Sequence, residues 1–209
     1  MRHLLILSLF ALSTVAQADQ RIQLPAMPAF TAVSSNGAID VDINVGGAQS
    51  VTFKGKKADL NKIKVNVVDG ELQIDGSAEK SALFFSDDKK FVITMPALRS
   101  FKGKGVGDVD IEHISGDEVD ISYEGAGELE ASGNVKTLRI KANGVGEVDT
   151  KKLRAENVDI NLHGVGEAKV FASKSLNAEV KGVGSLTYYG NPKEVNKSGE
   201  GIGRIHAGK

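Results

Sequence analysis

The chain has 209 residues, with 26 Lys plus Arg against 27 Asp plus Glu, an aromatic content of 5%, no Trp and no Cys. Balanced charge excludes the basic surface that nucleic-acid binding needs. The lack of cysteine excludes disulfides, thiol chemistry and a lipid-modified N-terminal cysteine, and the scarcity of aromatic rings argues against a carbohydrate platform of stacked Trp or Tyr.

Residues 1–18 have the pattern of a secretory leader. Arg2 supplies the positive start, Leu4 to Val15 an apolar run, and Ala16-Gln17-Ala18 a small-residue cleavage site. The apolar run is too short for a permanent membrane span. Cleavage after Ala18 leaves a chain starting at Asp19, with 25 basic and 27 acidic residues and no further transmembrane candidate. The expected location is therefore the periplasm or outside the cell.

Residues 19–99 read as an irregular β-region. Alternating apolar and polar residues predict strands over Ile39–Val45, Val51–Lys54, Ile63–Val68, Leu72–Asp75 and Phe91–Met95. Turn signals separate them at Asn36-Gly37, Gly46-Gly47, Asp69-Gly70 and Asp75-Gly76. Asp69-Gly70 suits the type I′ turn of a two-residue hairpin. Ser81–Lys90 reads as a loop, with Phe84 and Phe85 expected to plug the core beneath it.

Residues 100–209 carry a Gly-x-Gly signature six times, beginning at Gly105, Gly125, Gly144, Gly164, Gly182 and Gly201, with steps of 20, 19, 20, 18 and 19 residues. So regular a period implies one small unit stacked on the next. Three apolar columns recur around it. Four residues before the glycine stand Phe101, Ile121, Ile140, Ile160 and Ala178; six before it, Val119, Leu138, Val158, Leu176 and Val195; four after it, Val109, Leu129, Val148, Ala168 and Leu186. Polar residues intervene, so the period is two and the element is the strand. A unit of this length is too short for βαβ, which takes roughly 30 residues. The fold class expected is all-β: a parallel β-solenoid with 18–20-residue rungs, capped by the irregular N-terminal region. Six rungs at about 4.8 Å would stand about 29 Å tall.

The residue between the two glycines is Val, Ala, Val, Val, Val and Ile, and is expected to point inward at a corner whose sharp bend needs glycine on both sides. A phosphate-binding loop is the competing reading of Gly-x-Gly, but it needs a third glycine and a following helix. Here an acidic residue and another strand follow.

The acidic ladder Asp108, Glu128, Glu147 and Glu167 is the candidate binding feature. Like charges one rung apart repel, and either neighbouring lysines or a divalent cation would relieve them. One carboxylate per rung supplies too few oxygens for calcium, so a solvated face that discourages aggregation is the expectation, with no metal and no cofactor. A second ladder, Lys104, Glu124, Asn143, His163, Lys181 and Glu200, mixes signs and reads as a neutralised face.

Catalysis needs converging groups, such as paired carboxylates or a metal with a base. The acidic residues here spread along columns, His113, His163 and His206 fall in different rungs, and no nucleophile elbow occurs. A non-enzymatic envelope module with a structural, adhesive or protein- or glycan-binding role is expected. The alternative is a polysaccharide-acting enzyme on a β-helix scaffold. Expected partners are an envelope protein or a surface glycan, with end-to-end self-association through the polar last coil, Gly199 to Lys209.

Several motifs together carry a resemblance. They are Phe30 and Val33 followed by Gly37-x-Ile39-Asp40-Val41-x-Ile43, then Val67-x-Asp69-Gly70-x-Leu72-x-Ile74, the junction Met95 to Leu98, the repeated signature, and the ending Tyr188 to Pro192 with Gly201 to Ile205. Over residues 29–206 the chain resembles the bacterial "putative autotransporter adhesin, head GIN domain" family. The resemblance implies a secreted or envelope solenoid-like domain of no established activity, here without a translocation barrel.

Overall fold

The computed structural model describes residues 21–77 and 89–209. The expected leader and the Phe84–Phe85 plug lie outside the described residues. Of the expected loop only Lys89 and Lys90 are described, and Lys90 opens a strand.

The architecture is all-β, with one helical turn, α1 (Lys57–Leu60). The strands in chain order are β1 (Arg21–Gln23), β2 (Ala32–Ala38), β3 (Asp40–Val45), β4 (Ser50–Lys54), β5 (Lys64–Val68), β6 (Glu71–Asp75), β7 (Lys90–Met95), β8 (Ser100–Val106), β9 (Val109–Tyr189), β10 (Glu194–Gly201) and β11 (Arg204–Ala207). They join in one open eleven-stranded sheet. All five strands expected in the N-terminal region are present to within one residue at either end, whereas β1, β2 and α1 were not foreseen.

Strand β9 runs through 81 residues without a break, which straight would measure about 270 Å at 3.3 Å per residue. It bends back on itself instead. The Oγ of Ser175 meets Oδ1 of Asn157 at 2.8 Å, the Oγ1 of Thr150 donates to the carbonyl of Lys169 at 3.1 Å, and Arg139 reaches Asp120 at 3.3 Å. These partners lie 18 or 19 residues apart. Flanking strands pair at nearly the same spacing: β8 pairs in parallel with residues 120–126, 20 residues on, and β10 and β11 pair in parallel with residues 175–182 and 185–188, 19 residues back.

The glycines explain how the backbones approach. A Cβ added at Gly125 would overlap the carbonyl oxygen of Gly105, and the same holds for Gly144 over Gly125, Gly164 over Gly144 and Gly182 over Gly164. Each first glycine of these four also has positive φ, between 121° and 156°. Any larger residue would meet both obstacles at once.

The register continues into the N-terminal region. β2 pairs in parallel with β8, matching Gly37 to Gly105, and β3 pairs with the start of β9, matching Val41 to Val109. β6 and β7 lie beyond β2 and β3, also parallel. Only β1, β4 and β5 pair antiparallel, closing that end. The β5–β6 hairpin turns at Asp69 (φ 50°) and Gly70 (φ 76°), both positive as a type I′ turn requires.

The three inward columns are buried, from Phe101, Ile121 and Ile140 to Leu138, Leu129 and Leu186, except that Val195, at the end of the Leu138 column, is half-buried. At the capped end the core is aromatic, with Phe53 and Phe91 in ring contact at 5.1 Å.

The middle residue of the signature does not point inward. Val106, Val145, Val165, Val183 and Ile202 are 45% to 75% exposed, and Ala126 is half-buried. Buried positions stand two before and four after the first glycine, but none of the signature glycines is itself buried, and a Cβ on them would meet the backbone of the neighbouring turn; the stretch between the buried positions therefore runs at the surface and leaves the residue between the glycines exposed.

Candidate functional site

Beside the exposed apolar corner lies the acidic ladder, on outward positions of the same strands. Asp108 and Glu128 are exposed, Glu147 and Glu167 half-buried. Asp40 extends the column downward. Its Oδ1 accepts the backbone N–H of Asp108 at 2.9 Å, and Oδ1 of Asp108 accepts the N–H of Glu128 at 3.1 Å. Carboxylates at the lower end therefore hold the backbone of the next turn as well as facing water.

A second acidic column, missed from sequence, stands two positions further on: Asp42, Asp110, Glu130 and Asp149. Asp42 pairs with Asp110 in register. The signal was available, because Asp110, Glu130 and Asp149 stand five after the first glycines Gly105, Gly125 and Gly144.

Cations neutralise the upper part. Lys169 bonds Glu147 at 2.6 Å and approaches Glu167 at 3.8 Å, Lys152 pairs with Glu130 at 3.4 Å and Lys151 with Asp149 at 3.1 Å. At the base Lys90 holds Asp42 at 2.9 Å. Among the described residues no cation lies within ion-pair distance of Asp108, Asp110 or Glu128. Partial burial, then the neighbouring carboxylates Glu112, Asp42 and Glu130, raise the Asp110 pKa. Desolvation, then Glu147, Glu130 and Asp108, raise that of Glu128. Lys169 is raised in turn by its bond to Glu147.

Other outward columns differ in kind. Lys136 meets Asp117 at 2.7 Å, Lys174 meets Glu156 at 2.7 Å, and Arg139 bridges Glu118 and Asp120. In the mixed ladder Lys104 pairs with Glu124 at 3.3 Å, and Lys181 pairs with Glu179 beside it at 2.5 Å. Negative charge without a partner is thus concentrated on one side of the apolar corner.

His113, at positive φ, and His163 are exposed, and His206 bonds Thr187 at 3.1 Å. Among the described residues no three or more Asp, Glu or His side chains gather closely enough to hold a metal ion. A small cavity behind the corner is lined by Tyr123, Ala142, Val148, Leu162 and glycines of three successive signatures. It opens where Ala142 takes the place that Tyr123 and Leu162 fill one turn away.

No curated protein matches the chain. Among solved structures it is similar to a putative adhesin from Bacteroides fragilis NCTC 9343, at 23% identity and TM-score 0.66, over 91% of this chain and 98% of that one. It is also similar to putative adhesins from Parabacteroides merdae ATCC 43184, at 16% identity and TM-score 0.53 over 92% and 96% of the two chains, and from Parabacteroides distasonis ATCC 8503, at 19% and 0.52 over 91% and 96%. These likenesses establish a shared fold. The family model described as "putative auto-transporter adhesin, head GIN domain" matches residues 29–192, which hold the hairpin at Asp69-Gly70, the acidic columns and five of the six signatures, and the chain therefore belongs to that family.

Proposed function

We propose that this protein is a non-enzymatic adhesion-type module of the cell envelope or its exterior, exported by a leader cut after Ala18. In this reading residues 100–209 form a parallel β-solenoid of 18–20-residue rungs, and residues 19–99 supply its cap. The observation that carries the proposal is the uninterrupted stacking of Gly105, Gly125, Gly144, Gly164 and Gly182. A scaffold so repeated presents continuous outward columns, a surface suited to an elongated partner such as an envelope protein or a surface glycan. Family membership supports the same role, as do the adhesin descriptions of the similar structures.

The test is attachment. Beads coated with residues 19–209 are offered to intact bacteria and to immobilised polysaccharides, and bound beads are counted against protein density. Saturable attachment without release of reducing sugar is expected. Sugar release would instead assign the scaffold to polysaccharide chemistry, and absence of attachment to every surface would remove the adhesive role.

A further inference from the structure

We propose that the apolar corner and the acidic face beside it form a docking surface for a cationic amphipathic α-helix of another protein. This inference rests on the reading of the chain as a binding module and names the chemistry of its partner.

The first observation is the composition of the corner. Val106, Val145, Val165, Val183 and Ile202 stand 45% to 75% exposed, with the half-buried Ala126 completing the row. Nothing in the core requires this. Outward positions on either side are polar in every turn: Lys104, Glu124, Asn143, His163, Lys181 and Glu200 precede the signature, and Asp108, Glu128, Glu147, Glu167, Ser185 and Arg204 follow it. Only the middle position is apolar throughout. Single exposed apolar residues are ordinary, whereas a contiguous row of them rimmed by polar groups marks an interaction site.

The second observation is the charge beside it. Asp108, Asp110 and Glu128 have no ion-pair partner among the described residues; desolvation first, and then nearby carboxylates, raise Asp110 and Glu128, with Lys152 acting weakly the other way on Asp110. Across the corner, lysines and glutamates pair with one another. The field beside the lower turns of the row is therefore negative from one side, and a partner that brings Lys or Arg there relieves repulsion already present. Nucleic acid and anionic lipid are disfavoured by the same field.

The third observation is spacing. Turns of the stack are about 4.8 Å apart, whereas side chains on one face of an extended partner recur every 6.6 to 6.8 Å or so. A helix places a residue on one face about every 5.4 Å. Six corner residues span about 24 Å, roughly four and a half helical turns, and the mismatch stays near 3 Å over that length. An apolar helix stripe flanked by basic residues fits both the row and the charge beside it.

The probe is a fluorescent 18-residue peptide with Leu along one helical face and Lys elsewhere, followed by anisotropy. Its twins carry Glu for Lys, or the same residues shuffled so that no face forms. Saturable binding of the Lys peptide is expected, with both twins at least tenfold weaker. Val145→Ser with Val165→Ser should weaken binding at least fivefold. Asp110→Asn with Glu128→Gln should weaken it and flatten its salt dependence, while Asp117→Asn with Glu156→Gln on the other face leaves it unchanged. Circular dichroism melts establish that each variant is folded.

Equal binding of the Glu twin, unchanged affinity in the valine variant or no binding would overturn the proposal. So would a dimer in sedimentation that dissociates in the valine variant, which would assign the corner to a second copy. Bead attachment separates this inference from the reading beneath it. Wild-type beads that attach, with the Lys peptide bound no better than its twins, would overturn the docking surface and leave the adhesive role standing; wild-type beads that fail to attach, with the peptide still held at the corner, would do the reverse.

Discussion

The hydroxyl of Tyr123 donates to the carbonyl of Gly107, 2.9 Å away and 16 residues earlier in the chain. The ring is 7% exposed and stands in the inward column two before the signature, so its one polar atom is satisfied by the second glycine of the preceding turn. A side chain in the core thereby fastens one corner to the next. Tyr123→Phe keeps the packing and leaves that carbonyl without its donor. A loss of about 1 kcal/mol is expected, seen as a fall in Tm of about 2 to 4 °C.

The same tyrosine makes an alkaline prediction. Burial, then the carboxylates of Asp108 and Asp40, raise its pKa above the ordinary value. The folded chain therefore holds this proton more tightly than the unfolded chain. Its contribution is complete below the unfolded pKa, near 10, and is lost as pH rises through the raised value. Melts between neutral and strongly alkaline pH should fall less steeply in Tyr123→Phe than in wild type.

Neighbouring positions in one signature should behave in opposite ways. Gly144 has φ of 139°, and a Cβ there would overlap the carbonyl of Gly125. Gly144→Ala is expected to cost about 3 kcal/mol or more in denaturant melts. Val145 is 59% exposed, so Val145→Ser should change stability by no more than about 0.5 kcal/mol. Equal losses at the two positions would contradict the outward placement of the valine.

The acidic face should relax in mild acid. For Glu128 the folded pKa is raised, so the folded state binds more protons than the unfolded one between the two values. Stability then falls as pH rises through that window, and ionised Glu128 is a net cost at neutral pH. Glu128→Gln should raise Tm by about 1 °C at pH 7 and low salt, since exposed charges act weakly. The gain should shrink toward pH 4 and in high salt. Lys169→Gln, which strips Glu147 of its partner at 2.6 Å, should act in the opposite direction.

Calcium gives a separate check on the ladder Asp108, Glu128, Glu147 and Glu167. Each turn brings one carboxylate of the column, and Asp108 is already engaged with the backbone N–H of Glu128. Calcium needs six to eight oxygens. Melting in millimolar calcium and in chelator should therefore agree within about 1 °C. A saturating upward shift, abolished by Glu128→Gln with Glu147→Gln, would make the column a cation site.

The sequence alone determined the strand character, the columns of Ile121, Ile140 and Leu138, the period and the hairpin at Asp69-Gly70. All follow from local rules: alternation of side chains, and the tolerance of glycine for positive φ. Family membership was legible for the same reason, because its motifs are these turns and columns. Tertiary structure decided the rest. Val145 reads as core by its chemistry, and only the folded chain, with the signature running at the surface between buried positions two before and four after Gly144, leaves it outside. The columns of Asp108 and Asp110 become one charged face only when residues about 20 apart are stacked, and which carboxylates find a lysine depends on where Lys152 and Lys169 fall in the next turn. The place of Gly37 beneath Gly105 crosses 68 residues of chain. Strand periodicity does not select that partner, because it fixes which face a residue takes and not which distant strand lies beside it.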